Sequence, residues 1–131
     1  MITEDYVNFE TAKLLKEKGF DEECFALYNP DGILIQSGIR LNNIQVGRVK
    51  GSYSAPTLQM VMKWLREVHK IYIDINIHII LEQWAGYDIN IYATNTKDCL
   101  LDKVISYKGS KYTSYEQACE AAIKYCLENL I

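Results

Sequence analysis

Apolar and polar residues alternate along the segment IYIDINIHIILEQW, which runs from Ile71 to Trp84. Isoleucine occupies every second position from 71 to 79, and Asp74, Asn76 and His78 lie between the isoleucines. A period of two is typical of a β-strand whose two faces meet different environments. We expect the isoleucine face to pack against helices, because its burial stabilises the fold most, and the polar row to face solvent.

Two further strands are predicted after this one, at 87–93 and at about 101–107. Pairing Leu81 with Tyr87 places the apolar residues of the first two strands on the same face of a hairpin, with EQWAG at 82–86 as its turn. The predicted pairs are Ile79 with Ile89, Ile77 with Ile91, His78 with Asn90, and Asn76 with Tyr92. The polar face of this hairpin then presents five candidate site residues: Asp74, Asn76, His78, Asn90 and Tyr92.

The first third of the chain predicts a helix and a second hairpin. Asn8 can cap a helix that ends at Gly19. Two apolar runs within 24–38 flank the sequence NPDG at 29–32, which has the residue types of a tight turn. The segment 39–53 has no clear period, and we interpret it as a loop that can include a short strand.

A strong amphipathic helix is predicted from Ser54, its expected N-cap, with Pro56 in the first turn. Its apolar positions are Leu58, Val61, Met62, Leu65 and Val68. Trp64 lies at the edge of that arc and is a candidate anchor for a protein partner, although a place in the core is the commoner role of such a residue.

A last helix is predicted at 113–131, with Thr113 or Ser114 as its cap. The order of elements is therefore α-β-β-α-β-β-β-α. This order predicts a single α+β domain, residues 1–131, in which helices cover one face of an antiparallel sheet.

The polar row offers little catalytic chemistry. Asp74 and His78 can reach a common ion, but a catalytic zinc usually takes three protein ligands, commonly with two histidines. The only other histidine, His69, lies at the end of a predicted helix. The sequence contains no nucleophile elbow, phosphate-binding loop or dinucleotide fingerprint. We expect a non-enzymatic protein in which the polar row faces solvent. A partner-binding face and a metal or acid–base site are the two alternatives for this row.

The cysteines do not predict a metal site. The chain has 131 residues, 49% of them apolar, so it can bury a core without metal or disulfides. None of its four cysteines forms a C-x-x-C pair. Cys119 and Cys126 lie roughly 10 Å apart along one predicted helix, which is too far for a disulfide. We expect reduced thiols, Cys24 and Cys99 included, and no cofactor.

The charge distribution is uneven. The segment 39–70 holds one acid, Glu67, and six basic residues, a balance of +5, whereas the rest of the chain carries −8 to reach the total of −3. Such asymmetry can mark an anion-binding or partner-binding patch, or charge complementarity within the fold or between subunits. The candidate patch consists of Arg40, Arg48, Lys50, Lys63, Arg66 and Lys70.

The N-terminal sequence MITEDYVNFE has no signal-peptide core. The longest uncharged run is far shorter than a membrane span. We therefore expect a cytoplasmic protein without a membrane partner. A negative total charge also makes the whole molecule a poor match for polyanions.

Three motifs resemble a group of small proteins encoded by bacteriophages and prophages of gut bacteria. They are APT at 55–57, KWLRE at 63–67 and SYEQA at 114–118, and the opening NFETAKLLKEKGFDE extends the likeness to about half of the chain. The resemblance implies an accessory protein of a mobile element that acts in a bacterial cytoplasm, and it implies no catalytic residue. We expect such a protein to work by binding a host or phage protein.

A second resemblance concerns residues 54–131, which have the predicted order α-β-β-β-α. The small and apolar residues of the last helix follow a pattern similar to that of double-stranded-RNA-binding domains: Ala118, Ala121, Ala122, Leu127 and Leu130, with Lys124 among them. That family opens the helix with lysines that bind phosphates, whereas Tyr115 and Glu116 stand there in this chain. The resemblance implies the alternative function, a nucleic-acid-binding module that uses the basic segment 40–70.

Overall fold

The computed structural model describes residues 1–95 and 100–131, and the side chains of residues 1–93 and 112–131. Helices and strands follow the order α-β-β-α-β-α-β-β-β-α, so the predicted α+β class and the single compact domain are confirmed. In the stretch interpreted as a loop with a short strand, the short strand β3 begins at Tyr53, and the short helix α2 is an addition to the prediction. The elements are α1 (Phe9–Glu17), β1 (Cys24–Tyr28), β2 (Leu34–Leu41), α2 (Asn43–Val46), β3 (Tyr53–Ser54), α3 (Leu58–His69), β4 (Ile71–Ile80), β5 (Gln83–Asn95), β6 (Leu100–Tyr112) and α4 (Tyr115–Asn129).

The strands form two antiparallel sheets rather than the one that was predicted. The first sheet has the order β2-β1-β3 and the second has the order β4-β5-β6. The outer edge of β3 is closed by a side chain, because Asn43 Oδ1 accepts from Ser54 N at 2.9 Å while Asn43 Nδ2 donates to Phe20 O at 2.8 Å. The chain then enters α3, and β4 begins the second sheet directly after that helix.

One hydrophobic core joins the two sheets to α1, α3 and α4. Ala118 and Ala122 of α4 are fully buried, and their small side chains let the helix lie close to the second sheet. Trp64 is 7% exposed and its ring packs 5.2 Å from that of Phe20, so it belongs to the core and is not free to anchor a partner. The prediction that Val68 faces the core is wrong: it is 56% exposed, one residue before the helix ends at His69.

Helix caps agree with the sequence at α1 and α4 and differ at α3. Asn8 accepts from the Thr11 amide, and Ser114 accepts from the Gln117 amide. The cap of α3 is Thr57, whose hydroxyl accepts from the Met60 amide, and the prediction of Ser54 is wrong. Ser54 lies in β3, because backbone hydrogen bonds hold the residues before α3 against neighbouring strands and the N-terminal segment.

The β4–β5 hairpin forms, but its predicted register is wrong by four residues. Ile75 pairs with Ile89 where Ile79 was expected, and Ile77 pairs with Tyr87. The hairpin turns at Leu81 and Glu82, whose φ angles are 49° and 63°, a left-handed pair that usually requires glycine or asparagine. The predicted turn sequence EQWAG therefore lies mostly within β5. An even shift leaves each side chain on its predicted face but changes every partner.

Burial decreases along the isoleucine row of β4. Ile71 is 3% exposed, Ile73 and Ile75 are half-buried, and Ile77 and Ile79 are 58% and 56% exposed. The prediction that the whole row packs in the core is wrong for these last two. The covering helix, α4, begins at Tyr115, whose ring lies 6.0 Å from that of Tyr87 in β5. The hairpin extends beyond that point, and its end lies outside the core.

Candidate binding surfaces

The polar row of β4 forms local side-chain pairs. Asn76 Nδ2 donates to Asp74 Oδ2 at 2.7 Å, and His78 Nδ1 lies 3.1 Å from Asp88 Oδ2. Asp74 and Asn76 are exposed. Sequence reasoning missed Asp88, because the predicted register placed Asn90 opposite His78. A bulge at Ala85 and Gly86 sets two residues of β5 against His78 alone.

The remaining residues of that predicted face lie along the second sheet. Asp74 is opposite Asn90, and Tyr72 is opposite Tyr92. His78, Asn90 and Tyr92 are half-buried. The five predicted residues therefore share one sheet face without converging on a single point.

An imidazole beside a carboxylate can orient a general base, but catalysis also needs a nucleophile or an ion. Within the described part of the chain, no group of three His, Cys, Asp or Glu side chains could hold a metal. The described thiols are buried, and burial raises the pKa of Cys24 and Cys126 to about 12 and that of Cys119 to about 11. These thiols are therefore poor nucleophiles at neutral pH. Cys99 lies outside the described residues.

The six basic residues of the predicted patch belong to three parts of the fold. Arg40 is in β2, Arg48 and Lys50 are exposed in the connection from α2 to β3, and the other three follow α3 to its end. Lys63 Nζ lies 4.0 Å from Glu67 Oε1. Lys70 Nζ donates to the Glu67 carbonyl at 3.0 Å. The helical part of the patch, Lys63, Arg66 and Lys70, thus has a carboxylate within it.

Arg40 differs from the other basic residues of the predicted patch because it lies over an aromatic ring. Its guanidinium carbon is 5.2 Å from the centroid of the Phe25 ring. Phe25 is itself 51% exposed. A guanidinium over a ring is held by a cation–π attraction and can still bind a carboxylate through its N–H groups.

The outer face of the first sheet is apolar and open. Cys24, Ala26 and Tyr28 point into the core, so Phe25 and Leu27 point the other way. Leu27 pairs with Ile35, and Ile33 lies on the same side two residues earlier. Ile33 and Ile35 are 57% and 43% exposed. We call Phe25, Leu27, Ile33 and Ile35, together with Arg40, the outer face.

A groove of about 390 Å³ adjoins the outer face. It shares Phe25 and Arg40 with that face, and Met60 of α3 lies on its other side. Its remaining lining comes from Tyr6, Glu23, Cys24, Ala55, Pro56 and Thr57. The groove is therefore a mainly apolar recess with one cation and one acid at its border.

The end of the β4–β5 hairpin is a second exposed apolar surface. Ile79 pairs with Trp84, and the Trp84 ring lies 5.8 Å from that of Tyr87. We call Ile77, Ile79, Ile80, Leu81 and Trp84 the hairpin end; each is more than half exposed, and Leu81 reaches 91%. Ile77, Ile79 and Trp84 lie on one face of the hairpin and Ile80 lies on the other. A cluster of exposed apolar side chains of this kind is uncommon on a protein that acts alone.

The sequence contained a signal for the outer face that the prediction did not use. CFALY at 24–28 is apolar at every position, and ILI at 33–35 repeats this. Such runs are typical of strands with apolar residues on both faces. The sequence cannot tell whether another part of the chain covers the second face.

No protein-family model, characterised protein or solved structure that was compared with the chain matches it. In residues 1–95 and 100–131, no helix is long and apolar enough to cross a membrane. The geometry of the two apolar surfaces is therefore the basis for inferring a function.

Proposed function

We propose that this protein is a non-enzymatic binding protein whose outer face docks onto another protein. The observation that carries the proposal is the uncovered apolar surface formed by Phe25, Leu27, Ile33 and Ile35. Removing such side chains from water contributes about 25 cal/mol per Å² of apolar area buried. A protein partner offers apolar groups that match them, whereas a nucleic-acid backbone does not.

Arg40 supports a partner surface that carries a carboxylate. Its cation–π contact with Phe25 holds the guanidinium at the border of the apolar patch. Arginine is enriched in protein interfaces and can bind a carboxylate through two parallel hydrogen bonds. We infer that the partner presents apolar side chains next to Asp or Glu.

The adjoining groove supports a partner that inserts one side chain. Its volume of about 390 Å³ accommodates a large apolar group. Met60 forms one side, and its flexible thioether adapts to the shape of the inserted group. The groove and the outer face form one docking region because they share Phe25 and Arg40.

The biological setting of the proposal rests on the sequence resemblance to phage and prophage proteins. It makes the partner a host or phage protein, met in a bacterial cytoplasm. Nucleic-acid binding is the less favoured alternative, because Glu67 lies between Lys63 and Lys70 and because Arg40 is packed against an aromatic ring.

The test is capture of partners from a bacterial lysate with four single variants. Ile35→Lys and Arg40→Glu alter the outer face. Val68→Lys and Arg48→Glu make the same changes at exposed sites outside it. We expect one protein to be retained by the parent chain and both controls and to be lost by both outer-face variants, with thermal unfolding unchanged.

The same experiment separates the alternative. A nucleic-acid binder would lose its ligand equally in Arg40→Glu and Arg48→Glu, its capture would be sensitive to nuclease, and its affinity would fall steeply with salt. Either that result, or a protein partner retained by both outer-face variants, contradicts the proposed docking region.

A further inference from the structure

The exposed edge of β4 is the starting observation. β4 is the outer strand of the second sheet, ten residues long, with no proline, no glycine and one charged residue, Asp74. In the central strand, Ile89 and Ile91 are 1% and 0% exposed, whereas residues 76, 77, 79 and 80 of β4 are exposed. A long, regular edge strand of this composition is a template for pairing with another strand.

We propose that a second copy of the chain pairs with this edge, antiparallel, about a two-fold axis at Asn76. The residues on either side of Asn76 match one another. Ile75 and Ile77 flank it, Asp74 and His78 come next, and then Ile73 and Ile79. Pairing two copies about this residue therefore sets isoleucine opposite isoleucine along one face.

The side chains select this register from its alternatives. A register that pairs odd positions of one copy with even positions of the other would set isoleucines opposite polar residues. Such a register is excluded because the apolar faces of the two strands would then lie on opposite sides of the joined sheet. A two-fold axis at Ile77 would set Asp74 opposite Ile80. An axis at Ile75 would set Asp74 opposite Asn76. An axis at Asn76 sets Asp74 of each copy opposite His78 of the other, so the interface contains two such pairs.

The local hydrogen bonds fit this pairing. Asp74 is exposed, and the Oδ2 atom of its carboxylate accepts from Asn76 of its own strand. His78 faces Asp88 through Nδ1, so its other ring nitrogen, Nε2, is the atom that faces the second copy's Asp74. In the protonated imidazole both ring nitrogens carry hydrogen, so His78 in that form can donate to both carboxylates. An acid directly opposite an imidazole is a favourable cross-strand pair, whereas like charges opposite each other are not.

The available apolar area suits a dimer of moderate strength. At roughly 150–200 Å² for a large side chain, the exposed fractions of the three hairpin-end residues that belong to β4, Ile77, Ile79 and Ile80, leave on the order of 300 Å² per copy. A standard interface buries about 800 Å² per partner, and homodimer interfaces are about 65% apolar. These three residues therefore supply about half of the apolar part, and the strand ladder supplies the polar part.

The scarcity of charged residues around the β4–β5 turn also supports a second copy of the chain as the partner. Glu82 is the only Asp, Glu, Lys or Arg among residues 75–87, although 24% of the chain is charged. Interface cores are poor in charged residues, because burying them without partners costs free energy. Two copies of a nearly uncharged surface can also approach each other without strong repulsion. This proposal is independent of the outer face, which belongs to the other sheet.

The test is a cysteine on the two-fold axis. In the full chain with Cys99 replaced by Ser, Asn76→Cys places two thiols on directly opposite residues, with Cα atoms about 4.5–5.5 Å apart, which is within the disulfide range. Asp74→Cys is the matched control on the same exposed face. In the proposed pairing, residue 74 of one copy lies four residues along the strand from residue 74 of the other, a distance of roughly 13 Å.

We expect mild oxidation to convert Asn76→Cys into a covalent dimer. Asp74→Cys should give no covalent dimer, because its two thiols stay too far apart even when two copies associate. The parent chain should show a monomer–dimer equilibrium by analytical ultracentrifugation, with a Kd on the order of micromolar for an interface of this size. Ile77→Lys should raise that Kd at least tenfold while leaving the far-UV circular dichroism unchanged.

Three results would each overturn the pairing. They are a parent chain that stays monomeric at roughly 100-fold the expected Kd, equal cross-linking of the two cysteine variants, and a dimer whose Kd is unchanged by Ile77→Lys. None of them bears on partner capture by the outer face, so the two proposals fail separately.

Discussion

Replacing Ile89 by Ala is expected to destabilise the fold far more than replacing Ile77 by Ala, although both side chains lie on the same face of the second sheet. Ile89 is 1% exposed, and Ile77 is 58% exposed. A fully buried isoleucine loses both its transfer free energy and the packing around the cavity, about 2–5 kcal/mol for Ile→Ala. Ile77 has less than half of its surface buried, so from the ~1.5–3 kcal/mol of complete burial we expect about 1 kcal/mol or less.

Urea denaturation followed by circular dichroism measures both free energies of unfolding. The protein concentration should be low enough that the chain is monomeric, so that association does not add to stability. The slope of the free energy of unfolding against urea concentration should be the same in both variants, since neither changes the surface exposed on unfolding. Equal losses in the two variants would refute the reasoning, because they would require the hairpin end to be packed as tightly as the core.

Three further outcomes follow from the structure. Thr57→Ala should lower the free energy of unfolding by about 1 kcal/mol through loss of the α3 cap, whereas Ser54→Ala should be nearly neutral, because the Ser54 hydroxyl is buried without a hydrogen-bond partner. Tyr28→Phe should cost about 1 kcal/mol by removing the buried hydrogen bond, 2.6 Å long, that the Tyr28 hydroxyl donates to Val7 O. Stability should fall as pH rises above about 9, because the unfolded thiols ionise near the ordinary pKa of 9.0 whereas burial raises the folded pKa values to about 11–12; a pH series of melting temperatures checks this. The thiols concerned are Cys24, Cys119 and Cys126.

The helices could be predicted from the sequence because their signals are local. Asn8 and Ser114 cap their helices through amides three residues away, and the apolar period of α3 identifies most of its buried face. The start of α3 could not be predicted, since Ser54 and Thr57 are both good caps in isolation. The backbone bond from Ala55 N to Ala26 O, which draws Ser54 into a strand, is a tertiary contact and has no local signature.

The hairpin register could not be predicted because its turn lacks the usual residues. Leu81 and Glu82 adopt left-handed conformations without glycine or asparagine, while AG at 85–86, which looks like a turn, forms a bulge. The consequence for the site is direct. The register decides that His78 meets Asp88, and that Ile77 and Ile79 lie beyond the start of α4.

The outer face and the β4 edge belong to different sheets, so one chain can use both at once. If both proposals hold, the dimer presents two outer faces and binds an immobilised partner bivalently, which raises the apparent affinity without any new contact. Ile77→Lys would reduce this gain by weakening the dimer, and would leave the one-to-one affinity for the partner in solution unchanged. We expect this variant to dissociate at least tenfold faster than the parent from a dense partner surface, and at the same rate from a sparse one. Equal rates on the dense surface would mean that the two copies cannot both reach their partners, and that pairing through β4 serves stability rather than binding.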